Sequence, residues 1–70
     1  MMPLLYADIN VENTIKKVGG TMQMKHHLEN LGIIAGSPIR VIHRAQGNII
    51  VDVKNSRIAL SQELAKKIMV

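Results

Sequence analysis

Apolar residues recur along this chain with two different periods. Met24, Leu28 and Leu31 fall at i, i+4 and i+7, the spacing of one stripe on a short amphipathic helix. Thr21 precedes the stripe as a candidate N-cap, and Gly32 stands where a left-handed residue would end the helix. After Gly36 the period drops to two. Ile39, Val41 and His43 alternate with Arg40, Ile42 and Arg44, and Ile49, Val51 and Val53 alternate with Ile50, Asp52 and Lys54, so both runs predict strands with a buried face. Ser37-Pro38 opens the first of these runs, since the first residue of a strand needs no ladder donor.

The remaining elements follow from turn chemistry. Asn13–Val18 predicts a first strand closed by Gly19-Gly20, Ala45-Gln46-Gly47-Asn48 a hairpin connection, and Asn55-Ser56 a tight turn into a short strand over Arg57–Leu60. Ser61-Gln62-Glu63 supplies an N-cap and a first-turn acid for one helical turn, and Ile68-Met69-Val70 a last strand. Short strands, tight turns and a single helix between the first two strands predict a mainly β fold. The expected architecture is a small, partly open β-barrel of about five strands, with a helical turn before the last one.

Seventy residues, 47% apolar and 20% charged, make one globular domain over residues 1–70. With no cysteine there is no disulfide, thiolate nucleophile or cysteine-based zinc site. Met1-Met2-Pro3-Leu4-Leu5-Tyr6-Ala7 lacks a basic flank and runs into Asp8, so neither a signal peptide nor a spanning helix is expected. The net charge is +4, yet the nine basic residues are distributed over every predicted element and Tyr6 is the sole aromatic. Nucleic acid is therefore not an expected partner, because single-strand binders concentrate charge and add stacking platforms.

The run Leu28-Glu29-Asn30-Leu31-Gly32-Ile33-Ile34-Ala35-Gly36, followed by Arg57-Ile58-Ala59-Leu60 and Ala65-Lys66-Lys67-Ile68-Met69-Val70, resembles the ferrous iron transport protein A (FeoA) family over about Asn13 to Val70. The chain departs from the family pattern at Ala35, where a proline is usual, at Lys25-His26-His27-Leu28, where the helix commonly carries Arg-x-Arg-Leu, and at Val11, where a glycine is expected. The resemblance implies an SH3-like barrel. It also implies a cytoplasmic accessory protein acting beside the membrane GTPase that imports ferrous iron, in a family associated with transition-metal binding. The alternative is a basic SH3-like module of another class, either a repressor-type regulatory domain or a weak nucleic-acid binder.

Few residues carry candidate chemistry. His26 and His27 invite a metal reading with His43 as third ligand, but neighbours on a helix point about 100° apart, and Asp8, Glu12, Glu29, Asp52 and Glu63 show no ligand-like spacing to them. No metal site and no resident cofactor are expected, and Fe2+ has no clear ligand set. Met22, Met24 and Met69 are expected to fill the core. Without a glycine-rich phosphate loop or a carboxylate pair backed by histidine, the chain reads as non-catalytic. The lack of aromatic residues also argues against a groove for proline-rich peptides.

What remains is the helix and its following turn. Lys25, His26 and Glu29 should face solvent if Met24, Leu28 and Leu31 face the barrel, and Ile33 and Ile34 cannot easily both be buried. An apolar residue rimmed by charge suits partner docking, here the cytoplasmic part of the transporter GTPase; the same residues would equally serve to plug the open barrel end. An unprotected strand edge would also allow self-pairing into a weak homodimer.

Overall fold

The structure, a computed structural model, describes residues 1–70. Its strands are β1 (Glu12–Thr14), β2 (Lys17–Val18), β3 (Pro38–Ala45), β4 (Asn48–Val53), β5 (Ser56–Ser61) and β6 (Ile68–Met69). Helix α1 (Met22–Asn30) joins β2 to β3, and α2 (Gln62–Lys67) joins β5 to β6. A four-stranded antiparallel sheet in the order β1-β3-β4-β5 packs with a two-stranded ribbon of β2 and β6. The architecture is thus mainly β and partly open.

Six strands appear where about five were expected because the first one divides. Ile15 is buried, its N–H donates to Ser37 O (2.9 Å) and its carbonyl accepts from Gly36 N–H (2.7 Å). That double tie to the turn before β3 bends the chain, sending Glu12–Thr14 to one sheet and Lys17–Val18 to the other. The hairpin after β4 also sits one residue early: Val53 pairs with Ser56, and Lys54 and Asn55 form the two-residue turn with φ of 48° and 64°, the left-handed pair such a hairpin demands.

The alternation predicted for β3 fails at a bulge. Val41 pairs with Val51 but His43 pairs with Ile50, so Ile42 is an extra residue and the side-chain order inverts beyond it. Ile39 and Val41 are buried as expected; His43 is turned outward, and Arg44 comes level with buried Ile49 on the inner side.

Arg44 there meets the segment that the sequence left without structure. Leu4–Tyr6 forms a 3-10 turn beside α2, with Leu4 and Ala7 wholly buried. The Arg44 guanidinium donates to Leu5 O from both Nε (3.2 Å) and an η nitrogen (3.1 Å), and also to Ala7 O. Met2 and Val70 exchange backbone hydrogen bonds (2.9 and 2.8 Å), so the N-terminal segment is tied to the last residues of the chain. The core is otherwise aliphatic, built on Ile15, Leu28, Ile33, Ile39, Val41, Ile49, Val51, Val53, Leu60, Ala65 and Ile68. Met24 and Met69 are half-buried at its margin, but Met22, expected inside, is 67% exposed at the first position of α1, about 120° around the helix from Leu28.

Candidate functional site

Local chain geometry around α1 decides which apolar residues remain accessible. Thr21 Oγ1 accepts from Met24 N–H (3.2 Å), capping the helix start. At the other end Gly32 adopts φ 88°, Ile33 N–H donates to Leu28 O and Gly32 N–H to Glu29 O, both at 2.9 Å. This is a Schellman termination, whose signature contact joins the residue after the glycine to the one five positions earlier. Ile33 accordingly packs with Leu28 and is fully buried. The chain then makes a turn in which Ser37 N–H donates to Ile34 O (3.1 Å) with Gly36 at φ 92°, a type II geometry. Ile34 is left 38% exposed at its start.

Between α1, this turn and β2 lies a groove of about 210 Å³ lined by Val18, Lys25, Glu29, Ile33, Ile34 and Ala35. Ile33 gives it a buried apolar floor, and Ile34 and Ala35 form an exposed wall. Lys25 and Glu29, one helical turn apart, stand on its rim without an ion pair between them. Four of the five residues singled out from sequence therefore meet around one cavity. His26 does not; it is exposed elsewhere on α1, as is His27. Lys25 departs from expectation in being half-buried against the groove.

The histidines do not assemble into one site. His43 sits in β3 opposite Ile50, and no three histidine, aspartate or glutamate side chains gather in a geometry that could hold a metal ion.

A wider open cleft of about 470 Å³ lies across the outer face of the large sheet, and sequence reasoning missed it. Strand register puts Glu12 opposite Arg40, Arg40 opposite Asp52 and Asp52 opposite Arg57, one residue from each of the four strands. The row alternates in sign and pairs internally, Arg40 with Glu12 at 3.9 Å and Arg57 with Asp52 at 3.4 Å. It thus satisfies its own charge. The signal for it was the outward-facing charge in each strand, legible only once the register is known.

The comparisons with known proteins agree with one another. A candidate Fe(2+) transport protein A of Methanocaldococcus jannaschii is 37% identical over 70 residues, covering all of this chain and 85% of that protein. Among solved structures, the iron uptake regulatory protein FeoA has a TM-score of 0.90 at 24% identity, covering 99% of this chain and 93% of its own. A zinc complex of Stenotrophomonas maltophilia FeoA, described as a procaryotic SH3 domain protein, has a TM-score of 0.86 at 21% identity over 100% of this chain and 89% of that one. At those identities the solved structures establish the SH3-like fold alone. The FeoA domain model, however, matches residues 2–70, taking in the N-terminal segment as well as the motifs from Asn13 onward, and on that match and the archaeal relative the chain belongs to the FeoA family.

Proposed function

We propose that this protein is a non-enzymatic accessory factor of ferrous iron uptake, acting in the cytoplasm by docking part of the membrane GTPase transporter in the groove between α1 and the turn after it. The observation that carries the reading is the groove itself. An apolar floor at Ile33 with an exposed Ile34 wall and a rim of one cation and one anion suits an apolar side chain flanked by charge. Family membership supplies the process, and the description of the Stenotrophomonas protein raises a role for it as a ferrous iron transport activating factor. No helix is long and apolar enough to cross a membrane, so the proposed role is exerted on a transporter rather than as one.

The test is binding of the purified chain to the purified GTPase portion of the transporter. Ile34→Asp and Lys25→Glu are each expected to weaken binding about tenfold or more, the scale of removing an interface anchor, with unchanged circular dichroism. Ile33 is unsuitable as a probe, since a buried aspartate there would unfold the domain. If both folded variants bind like the parent protein, the groove is not the docking site.

A further inference from the structure

Four lysines far apart in sequence converge on the small ribbon. Lys17 pairs with Met69 and Val18 with Ile68, while Lys16 N–H donates to Met69 O (2.8 Å) and Gly19 N–H to Lys67 O (2.7 Å). Lys17 opens one strand with Lys16 just before it, and Lys66 and Lys67 lead into the other, all four exposed. The register sets Lys67 opposite Gly19, two residues beyond Lys17, so Lys17 and Lys67 share one face of the ribbon as diagonal neighbours, about 7–8 Å apart and within the Debye length of about 8 Å at physiological salt. None has an acid within ion-pair reach: both ion pairs of the molecule lie on the outer face of the large sheet. The repulsion among them is left for something outside the chain to relieve.

At the end of the same ribbon the backbone pairing of Met2 with Val70 brings up two apolar side chains, Met1 at 76% and Met2 at 39% exposure. We infer that the β2–β6 ribbon, with Lys16, Lys17, Lys66, Lys67 and the adjoining Met1-Met2, is a docking face for an anionic lipid bilayer surface. The chemistry selects this partner over a nucleic acid. Every cation of the cluster is lysine, a hydrated point charge suited to a diffuse negative potential, with no arginine fork for bidentate phosphate contact, and the chain's one aromatic ring, Tyr6, is too little for a platform of stacked bases. Exposed methionines beside such charge have use for an apolar boundary, which a bilayer offers and a polyanion does not. Val18 belongs both to the ribbon and to the groove, so a protein seated on this face would hold the groove alongside the membrane.

The inference does not rest on the transporter reading, because its test contains no transporter. The full chain is sedimented with vesicles of phosphatidylcholine alone or mixed with phosphatidylglycerol, over a range of salt. Partition onto the mixed vesicles only, fading as salt rises, is expected. Lys17→Gln and Lys67→Gln should each lower the partition coefficient about fivefold, Lys17→Arg should retain it, and Lys54→Gln, outside the ribbon, should leave it nearly unchanged. Absence of binding to the mixed vesicles at low salt would overturn the inference, as would an equal loss from Lys54→Gln, which would reduce the effect to net charge. Tighter binding of an oligonucleotide duplex than of the mixed vesicles at the same salt, compared per accessible phosphate, would overturn it in favour of nucleic acid.

Discussion

Arg44 does more to hold the N-terminal segment than its exposed position in a strand suggests. Its guanidinium holds the Leu5 and Ala7 carbonyls, groups at the end of a short turn that have no ladder of their own. Charge-assisted hydrogen bonds of this kind contribute about 1.5–3 kcal/mol, reduced where water competes, so Arg44→Ala should cost about 1–2 kcal/mol. Thermal denaturation would register this as a fall of about 5–15 °C for a domain of this size, and Arg44→Lys, lacking the fork, should recover only part of it. Ala35 offers a change of opposite sign. It occupies the second position of the type II turn from Ile34 to Ser37, where proline fits, and its N–H takes no part in the backbone hydrogen bonds of that turn. Ala35→Pro, which also restores the residue usual in the family, should raise stability by about 0.5–1 kcal/mol by restricting the unfolded chain; an unchanged or lower midpoint in urea would show strain at Ile34. These two residues differ in how far sequence could reveal them. Ala35 is flagged by Gly36 alone, and burial of Ile33 follows from the glycine stop at Gly32, whereas the role of Arg44 depends on a bulge at Ile42 that no periodicity announces.

At the scale of elements, the places where the chain changes direction were the least legible. Both helices and the hairpin around Gln46-Gly47 stand where caps and glycines put them: Thr21 caps α1, and Ser61 Oγ accepts from Leu64 N–H (3.3 Å) to cap α2. Thr21→Ala should therefore cost about 1 kcal/mol, readable as a shift in denaturation midpoint with unchanged slope. The run Asn13–Val18, with no glycine or proline to break it, concealed the bend at Ile15, because that residue is buried in either arrangement and only its hydrogen bonds to Gly36 and Ser37 distinguish them. The turn at Lys54-Asn55 was misplaced by one residue for a related reason. Lysine is an unusual occupant of φ 48°, and the expected glycine is absent. Asn55→Gly, giving the φ 64° position its preferred residue, should stabilise the β4–β5 hairpin by a few tenths of a kcal/mol, measurable by slower amide exchange across Asp52–Arg57.

For the whole molecule, the sequence conveyed class and outline through its alternating strands and glycine turns, and the resemblance conveyed the barrel. It did not convey how the distant parts meet. Pro3-Leu4-Leu5-Tyr6 has no periodicity, yet Leu4 is wholly buried, so Leu4→Ala should cost about 2–5 kcal/mol. That is most of the stability such a small core supplies, and chemical denaturation would expose it at once. Likewise the lysines of β2 and α2 are about fifty positions apart along the chain and become one patch only through the pairing of β2 with β6. The seam where Met2 and Val70 pair has a consequence for how the domain can be rewired. Residues 2 and 70 are backbone neighbours, so a short glycine-serine link from Val70 to Met1 would complete a ring, and the ring could be opened between Gln46 and Gly47 without parting any strand from its partner. Such a permuted chain should keep the same fold. It would also free the lysine ribbon of both chain ends and set the new ends at the start of α2, where Gln62 N–H donates to Gly47 O (3.1 Å), so that a tag or fluorophore placed there would leave Lys17 uncovered.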